Sequence, residues 1–190
     1  WSIIPDEARA LELMRRTIVA DEDPNEVALV DLEPENQKTL PDFEATRQLF
    51  GVESVCVSRL KKQGRQLFRE REGKLVRVRR IYNRMVFDEL EIKQAALPFR
   101  WNDELDVTWC SHPNWYWVWS KFSLPFLDHP AVPKTRFVSD VDDPGDLSGK
   151  VLKPLFSFAG SGVKVDVTEA DLAGVPPDQR HGWVLQDKLR

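Results

Sequence analysis

The chain is short of the residue types on which metal and thiol chemistry are usually built. Its 190 residues hold 2 Cys and 3 His. Cys56 lies between Val55 and Val57 and Cys110 follows Trp109, with no C-x-x-C spacing. That pattern reads as two buried reduced thiols and argues against a disulfide framework or a thiolate metal site. His112, His129 and His181 are too far apart to form a ligand motif. No apolar run approaches the roughly 18 residues of a membrane span, and no leader pattern opens the chain. Positive charge is not in excess either: 27 Lys and Arg stand against 31 Asp and Glu, a net −4, so no global attraction to nucleic acid or to an anionic membrane is expected. A G-x-x-x-x-G-K-[ST] run is missing, which excludes a P-loop. These absences suit a cytoplasmic protein, and the start at Trp1 instead of Met is the expected mark of a fragment.

What is present, 42% hydrophobic and 31% charged residues, is enough for one large domain or two small lobes. Pro5, Asp6 and Glu7 precede Ala8, Leu11, Met14 and Ile18, which share one helical face. Val27 to Leu32 is a short apolar run of the kind found in buried central strands. Pro41 and Asp42 open a helix that Gly51 stops, and Val52 to Val57 returns as a second strand. Strand, helix, strand at this spacing predicts a right-handed βαβ unit in a parallel sheet. Ligands of such sheets gather beyond the carboxyl ends of the strands, here near Asp31 to Glu35 and Ser58 to Leu60.

The middle is basic: Arg65 to Arg84 carries eight Lys or Arg against two Glu. Leu67 and Phe68, the turn Glu72-Gly73-Lys74 and an alternating run from Leu75 to Tyr82 predict a hairpin with one charged face. A solvated edge hairpin, an anion-binding wall and an RNA-binding surface are the readings open to it, although no RNP-like pattern accompanies the patch. Ile81 to Arg84 then leads into a helix expected from about Met85 to Ala96, with Asn83 and Arg84 at the junction. Leu105 to Cys110 is a further expected strand.

An aromatic, proline-rich segment follows. Trp115, Trp117 and Trp119 alternate as in an extended segment, where they serve as packing anchors or as a ligand cage. Ser120 is placed to cap a short helix, and Thr135 to Val138 reads as a strand. The acidic stretch from Ser139 to Gly149 matches no Ca²⁺ loop and reads as solvated turns. Lys150 to Val165 is expected to be a hairpin: one apolar run holds Lys153, the other alternates Val163, Val165 and Val167, and Ser157 to Gly162 joins them. Glycines there permit close approach of a ligand to backbone N–H groups, or simply make a flexible turn. Thr168 to Asp171 resembles a capping box, and Trp183 to Leu189 a final strand.

In their order, SKFSLPFL, AVPKTRFV, KVLKPLFSFAGSGV and WVLQDKL resemble the first half of an ATP-grasp fold, the nucleotide-binding architecture of carboxylate–amine and carboxylate–thiol ligases. The βαβ region resembles the pre-ATP-grasp domain that commonly precedes it. The resemblance implies an α/β protein, with a parallel-sheet domain over residues 1–118 and a small α+β first lobe over 119–190, cut at the hinge. It implies that Lys121 and Lys153 contact the α- and β-phosphates of ATP, that Ser157 to Gly162, with Gly160 and Ser161, cover the phosphates, and that Gln186 stands beside adenine where a Glu is common. Backbone groups of Asp187 and Leu189 would read the base edge. A carboxylate substrate, activated as an acyl-phosphate, is expected near Asn83, Arg84, His112 and Asn114. The Mg²⁺ ligands belong to a second lobe beyond Arg190, so the chain alone is expected to bind ATP weakly and to be inactive. Two rivals stand beside this ligase reading: a non-catalytic nucleotide-binding or interaction module, and an anion or nucleic-acid binder built on Arg65 to Arg84.

Overall fold

In the computed structural model, residues 6–157 and 160–189 are described, and they divide into two compact units, Trp1–Pro113 and Asn114–Arg190. The first unit opens with α1 (Glu7–Ile18), capped by the Asp6 carboxylate on the Arg9 N–H at 2.7 Å. Then come β1 (Val27–Asp31), α2 (Leu40–Phe50) and β2 (Glu53–Cys56). Gly51 ends α2 in a left-handed conformation (φ 72°). Strands β3 (Lys61–Gln63), β4 (Gln66–Arg71) and β5 (Lys74–Val78) form an antiparallel sheet, and β6 (Arg80–Asn83), α3 (Phe87–Ile92) and β7 (Thr108–Cys110) complete the unit.

The fold is α/β: β2-β1-β6-β7 is a four-stranded sheet in which every neighbour runs parallel. Every residue of β1 is buried, as a central strand covered on both faces requires. Alternation along β1 sends Val27 and Leu29 to a cluster with Phe43, Phe50 and Ile18, and Ala28 and Val30 to a cluster with Ile81, Val57 and Phe99.

Three expectations need correction. The run from Leu75 to Tyr82 is not one strand: it breaks at Arg79, so that β5 stays in the antiparallel sheet while β6 crosses to lie beside β1. The helix expected from Met85 to Ala96 is only α3, because Lys93 caps it and Gln94 turns left-handed (φ 47°). The tryptophan segment is not extended; Pro113–Trp115 is a 3-10 turn that runs into α4 (Tyr116–Trp119).

In the second unit α4 is followed by a 3-10 helix, Lys121–Phe126, whose cap is the Ser120 hydroxyl accepting from the Phe122 N–H at 3.2 Å. Strands β8 (Thr135–Phe137), β9 (Lys150–Pro154), β10 (Lys164–Val165) and β11 (Trp183–Asp187) form an antiparallel sheet in the order β10-β9-β11-β8, and α5 (Glu169–Ala173) carries the expected capping box between Thr168 and Asp171. The hairpin of β9 and β10 pairs Leu152 with Lys164 and Val151 with Val165. It stops early because Asp166 turns left-handed (φ 56°), which takes Val167 out of the alternation and into the core with Leu152, Leu172 and Leu185. Among the described residues no helix is long and apolar enough to cross a membrane.

Candidate functional site

Two places in the chain gather polar side chains that the packing alone does not require. In the first unit it is the carboxyl edge of the parallel sheet. The chain leaves β1 for β2 on one side and returns to β6 on the other, so the loops after β1 and β6 part at this edge, the switch point at which ligands of parallel sheets gather. Asp31 closes β1 there, 4% exposed, with one carboxylate oxygen accepting from the Leu32 N–H at 2.8 Å. Burial pushes its carboxyl up from 3.8 to about 6; the Leu32 N–H opposes this, nearby Glu89 adds to it, and Arg84 and Lys93 pull it back.

Arg84 follows the last residue of β6, and its backbone N–H donates to the Val30 carbonyl at 2.9 Å. Its guanidinium lies over the rings of Phe43 (5.3 Å) and Tyr82 (5.7 Å), and Nη1 donates to the Asp42 carboxylate and to the Tyr82 hydroxyl at 3.1 Å. The loop after β1 is tied to α3 beside it: Gln37 Nε2 donates to the Leu32 carbonyl (2.8 Å) and to Glu89 (3.0 Å), and Lys93 pairs with Glu33 (2.8 Å) and Glu89 (3.0 Å).

Asn83 and Arg84, adjacent in sequence, serve opposite faces. Arg84 goes to the α2 side with Tyr82. Asn83 shares the strand position of Ile81; its side-chain oxygen accepts from the Met85 N–H at 3.3 Å and its carbonyl from the Ser111 hydroxyl at 3.2 Å. His112 sits edge-on to Trp109 at 5.0 Å, and burial holds its imidazole below the ordinary value. Asn114 begins the second unit and is exposed. A separate cavity of about 770 Å³ opens beside β2, lined by Glu35, Ser54, Cys56, Ser58 and Arg59. It takes in all of Ser58 to Leu60, the stretch that fold analogy marked after the second strand, and Pro34 and Glu35 from the one marked after the first.

Most of the basic run is engaged inside the unit. Arg65 pairs with Glu104 (2.6 Å) and Asp106 (2.8 Å), Arg71 with Glu53 (3.1 Å) and Arg79 with Glu26 (2.8 Å). Arg80 donates to the carbonyls of Thr17 (2.8 Å) and Ile18 (2.9 Å). Arg69, 2% exposed, donates to the Asn25 carbonyl at 3.0 Å and lies 3.7 Å from Glu53, which clamps the antiparallel sheet to the amino ends of β1 and β2.

In the second unit the polar gathering lies on one face of the antiparallel sheet. Leu152 and Leu185, paired across β9 and β11, point into the core, so Lys153, Thr135 and Gln186 fall on the other face. They form a chain of hydrogen bonds: Lys153 Nζ donates to Gln186 Oε1 (2.5 Å), Gln186 Nε2 to Thr135 Oγ1 (2.9 Å), and Thr135 Oγ1 to the Pro133 carbonyl (2.8 Å). Thr135 and Gln186 are buried at 8% and 5% exposure. Because the threonine hydrogen goes to Pro133, its oxygen must accept, and this fixes the Gln186 carbonyl toward the lysine.

Lys121 Nζ donates to both the carbonyl and the hydroxyl of Ser157, each at 2.8 Å, and so anchors the start of the loop after β9. Within that loop Phe158 and Ala159 lie outside the described residues. Gly160 (φ 76°) and Gly162 (φ 71°) are left-handed, Ser161 between them is exposed, and a Cβ at Gly162 would stand 2.8 Å from Pro154 Cγ. Packing alone therefore requires a glycine at 162.

Asp187 donates its N–H to the Lys134 carbonyl at 2.9 Å, and its carboxylate pairs with Lys150; Leu189 is 74% exposed. Asp187 and Thr135 also line a cavity of about 380 Å³ with Lys134, Arg136 and Lys150. Lys121, Lys153, Ser157 and Gln186 thus fall in one unit and are linked in pairs, whereas Asn83, Arg84 and His112 lie in the other. Fold analogy marked the stretch that begins at Asp31, but no motif singled out its carboxylate, and Thr135 carries no motif at all. No protein-family model matches the chain, and no curated protein does.

Proposed function

We propose that the second unit is the nucleotide-binding lobe of an ATP-dependent ligase of the ATP-grasp type, which activates a carboxylate through an acyl-phosphate. The observation that carries this reading is the Lys153–Gln186–Thr135 chain. Lys150 and Lys188 are neutralised by Asp187 and Asp166, but the partner of Lys153 is a neutral amide. Its full charge, held on a strand, remains for a phosphate. Lys121, fixed at the start of the glycine loop, supplies a second ammonium, and the two together neutralise and position a polyphosphate.

The carboxylate acceptor belongs, on this reading, with Arg84 at the carboxyl edge of the first unit. Among the described residues no group of three His, Cys, Asp or Glu side chains is arranged to hold a metal ion. The anion-binder alternative loses weight because arginines 65, 69, 71, 79 and 80 already have internal partners.

Saturation-transfer NMR, which detects millimolar binding, tests the proposal. The adenine protons of ATP should be saturated by the chain, and Lys153→Ala should remove the effect. No transfer, or transfer that persists in Lys153→Ala, rejects it.

A further inference from the structure

Asp31 and Arg84 are the unusual pair of the first unit. Val30 and Asn83 are register partners across β1 and β6, so Asp31 and Arg84 occupy the next position on each strand, at the edge where the loops after β1 and β6 part. Both belong to the α2 side: Asp31 by alternation with Leu29, Arg84 by its place over Phe43 and Tyr82. Opposite charges at neighbouring positions would ordinarily bond to each other. These do not, since Arg84 turns its Nη1 to Asp42 instead.

Each keeps bonding capacity in reserve. One oxygen of Asp31 takes the Leu32 N–H and the other has no partner among the described residues, in a side chain 4% exposed. Arg84 uses Nη1 only, and Nε and Nη2 have no hydrogen-bond partner among the described residues. An open carboxylate oxygen accepts from an ammonium, and an arginine fork with two open nitrogens matches a carboxylate.

We propose that this edge of the sheet binds a small zwitterion, its ammonium on the open oxygen of Asp31 and its carboxylate on the open nitrogens of Arg84. The ligand class is an amino-carboxylate. Asp42 and the Tyr82 hydroxyl hold Arg84 in place by sharing Nη1, and the Gln37–Glu89–Lys93 network holds the loop that follows Asp31. The site stands on the geometry of the first unit alone. It goes beyond the nucleotide reading by naming the substrate class, and ATP binding and zwitterion binding fail or succeed separately.

The test is calorimetric titration of the full chain with the standard L-amino acids, β-alanine and γ-aminobutyrate, each beside its desamino carboxylate and its decarboxylated amine. At least one amino-carboxylate should bind, with both single-charge analogues weaker by about tenfold or more. Asp31→Asn should abolish the advantage conferred by the amine, and Arg84→Gln the advantage conferred by the carboxylate. Urea unfolding of each variant checks that it is folded. At pH 6 the binding heat of the wild type should also vary with the ionisation enthalpy of the buffer, as ammonium binding displaces a proton, and this dependence should vanish in Asp31→Asn. Absence of binding by every amino-carboxylate overturns the proposal. So does equal binding of the desamino carboxylates, which would mark a simple anion site on Arg84, or unchanged affinity in a folded Asp31→Asn.

Discussion

Replacing Asp31 by Asn should stabilise the protein at neutral pH and leave it nearly unchanged in acid. Burial raises the carboxyl from 3.8 to about 6, a displacement of roughly two pH units. At about 1.4 kcal/mol per unit, the folded state loses roughly 3 kcal/mol by holding this group ionised. The sign follows from proton binding. Between about pH 4 and pH 6 the folded chain holds a proton that the unfolded chain has released, so stability falls as pH rises through that window. Below it the penalty is absent, and above it the penalty is complete. Asn keeps the side-chain oxygen that accepts the Leu32 N–H, so the substitution removes the charge without removing the bond. Urea unfolding of wild type and Asp31→Asn at pH 4 and pH 7 measures the effect. The difference between them should grow in favour of the variant by about 2–3 kcal/mol across the interval. Parallel pH profiles would refute the burial argument, and a variant less stable at pH 7 would mean that the second oxygen has a donor.

The other perturbations are simpler. Gly162→Ala must hold a Cβ at φ 71° and 2.8 Å from Pro154 Cγ, and should destabilise the second unit by about 1–3 kcal/mol in thermal unfolding. Arg69→Ala removes a buried cation that bonds the Asn25 carbonyl and faces Glu53, and a loss of about 3 kcal/mol in urea unfolding is expected, with no loss meaning that the clamp is dispensable. Thr168→Ala deletes the half of the α5 capping box in which the hydroxyl accepts from the Asp171 N–H and should cost about 1 kcal/mol, whereas Thr168→Ser should restore it.

The elements that local periodicity encodes are those the sequence makes legible. An unbroken apolar run gives β1, the Pro41 start and Gly51 stop frame α2, and the Thr168–Asp171 spacing specifies a cap. Where the reading fails, a tertiary choice overrides a continuous local pattern. The alternation from Leu75 to Tyr82 holds no signal that the chain changes sheets at Arg79, because both halves are β-rich and only the partner strands differ. The tryptophan alternation is equally mute, since side chains two apart suit a strand and also survive in a helical turn. Charge misled in a different way. Eight basic residues in one stretch suggest a surface for anions, yet the acids that pair with them, Glu26, Glu53, Glu104 and Asp106, come from elsewhere in the chain and no local count includes them.

That distribution of partners is also what separates candidate sites from scaffold. Surface ion pairs contribute little individually, about 0–1 kcal/mol, but each one removes a charge from the inventory available to a ligand. Once Arg65, Arg71, Arg79, Lys93, Lys150 and Lys188 are matched to their carboxylates, the unmatched groups that are also positioned by rigid elements become few. Lys153 is one, held on β9 by an amide that cannot neutralise it. The open oxygen of Asp31 is another, fixed at the end of a fully buried strand. Their uncompensated charge has opposite sign and lies in different units, so a single ligand chemistry does not account for both. A polyanion suits the first and a cationic group the second. A ligase that joins a nucleotide-activated carboxylate to an amine needs both kinds of site, and this is why the nucleotide and zwitterion assignments, though independently testable, are consistent with one reaction.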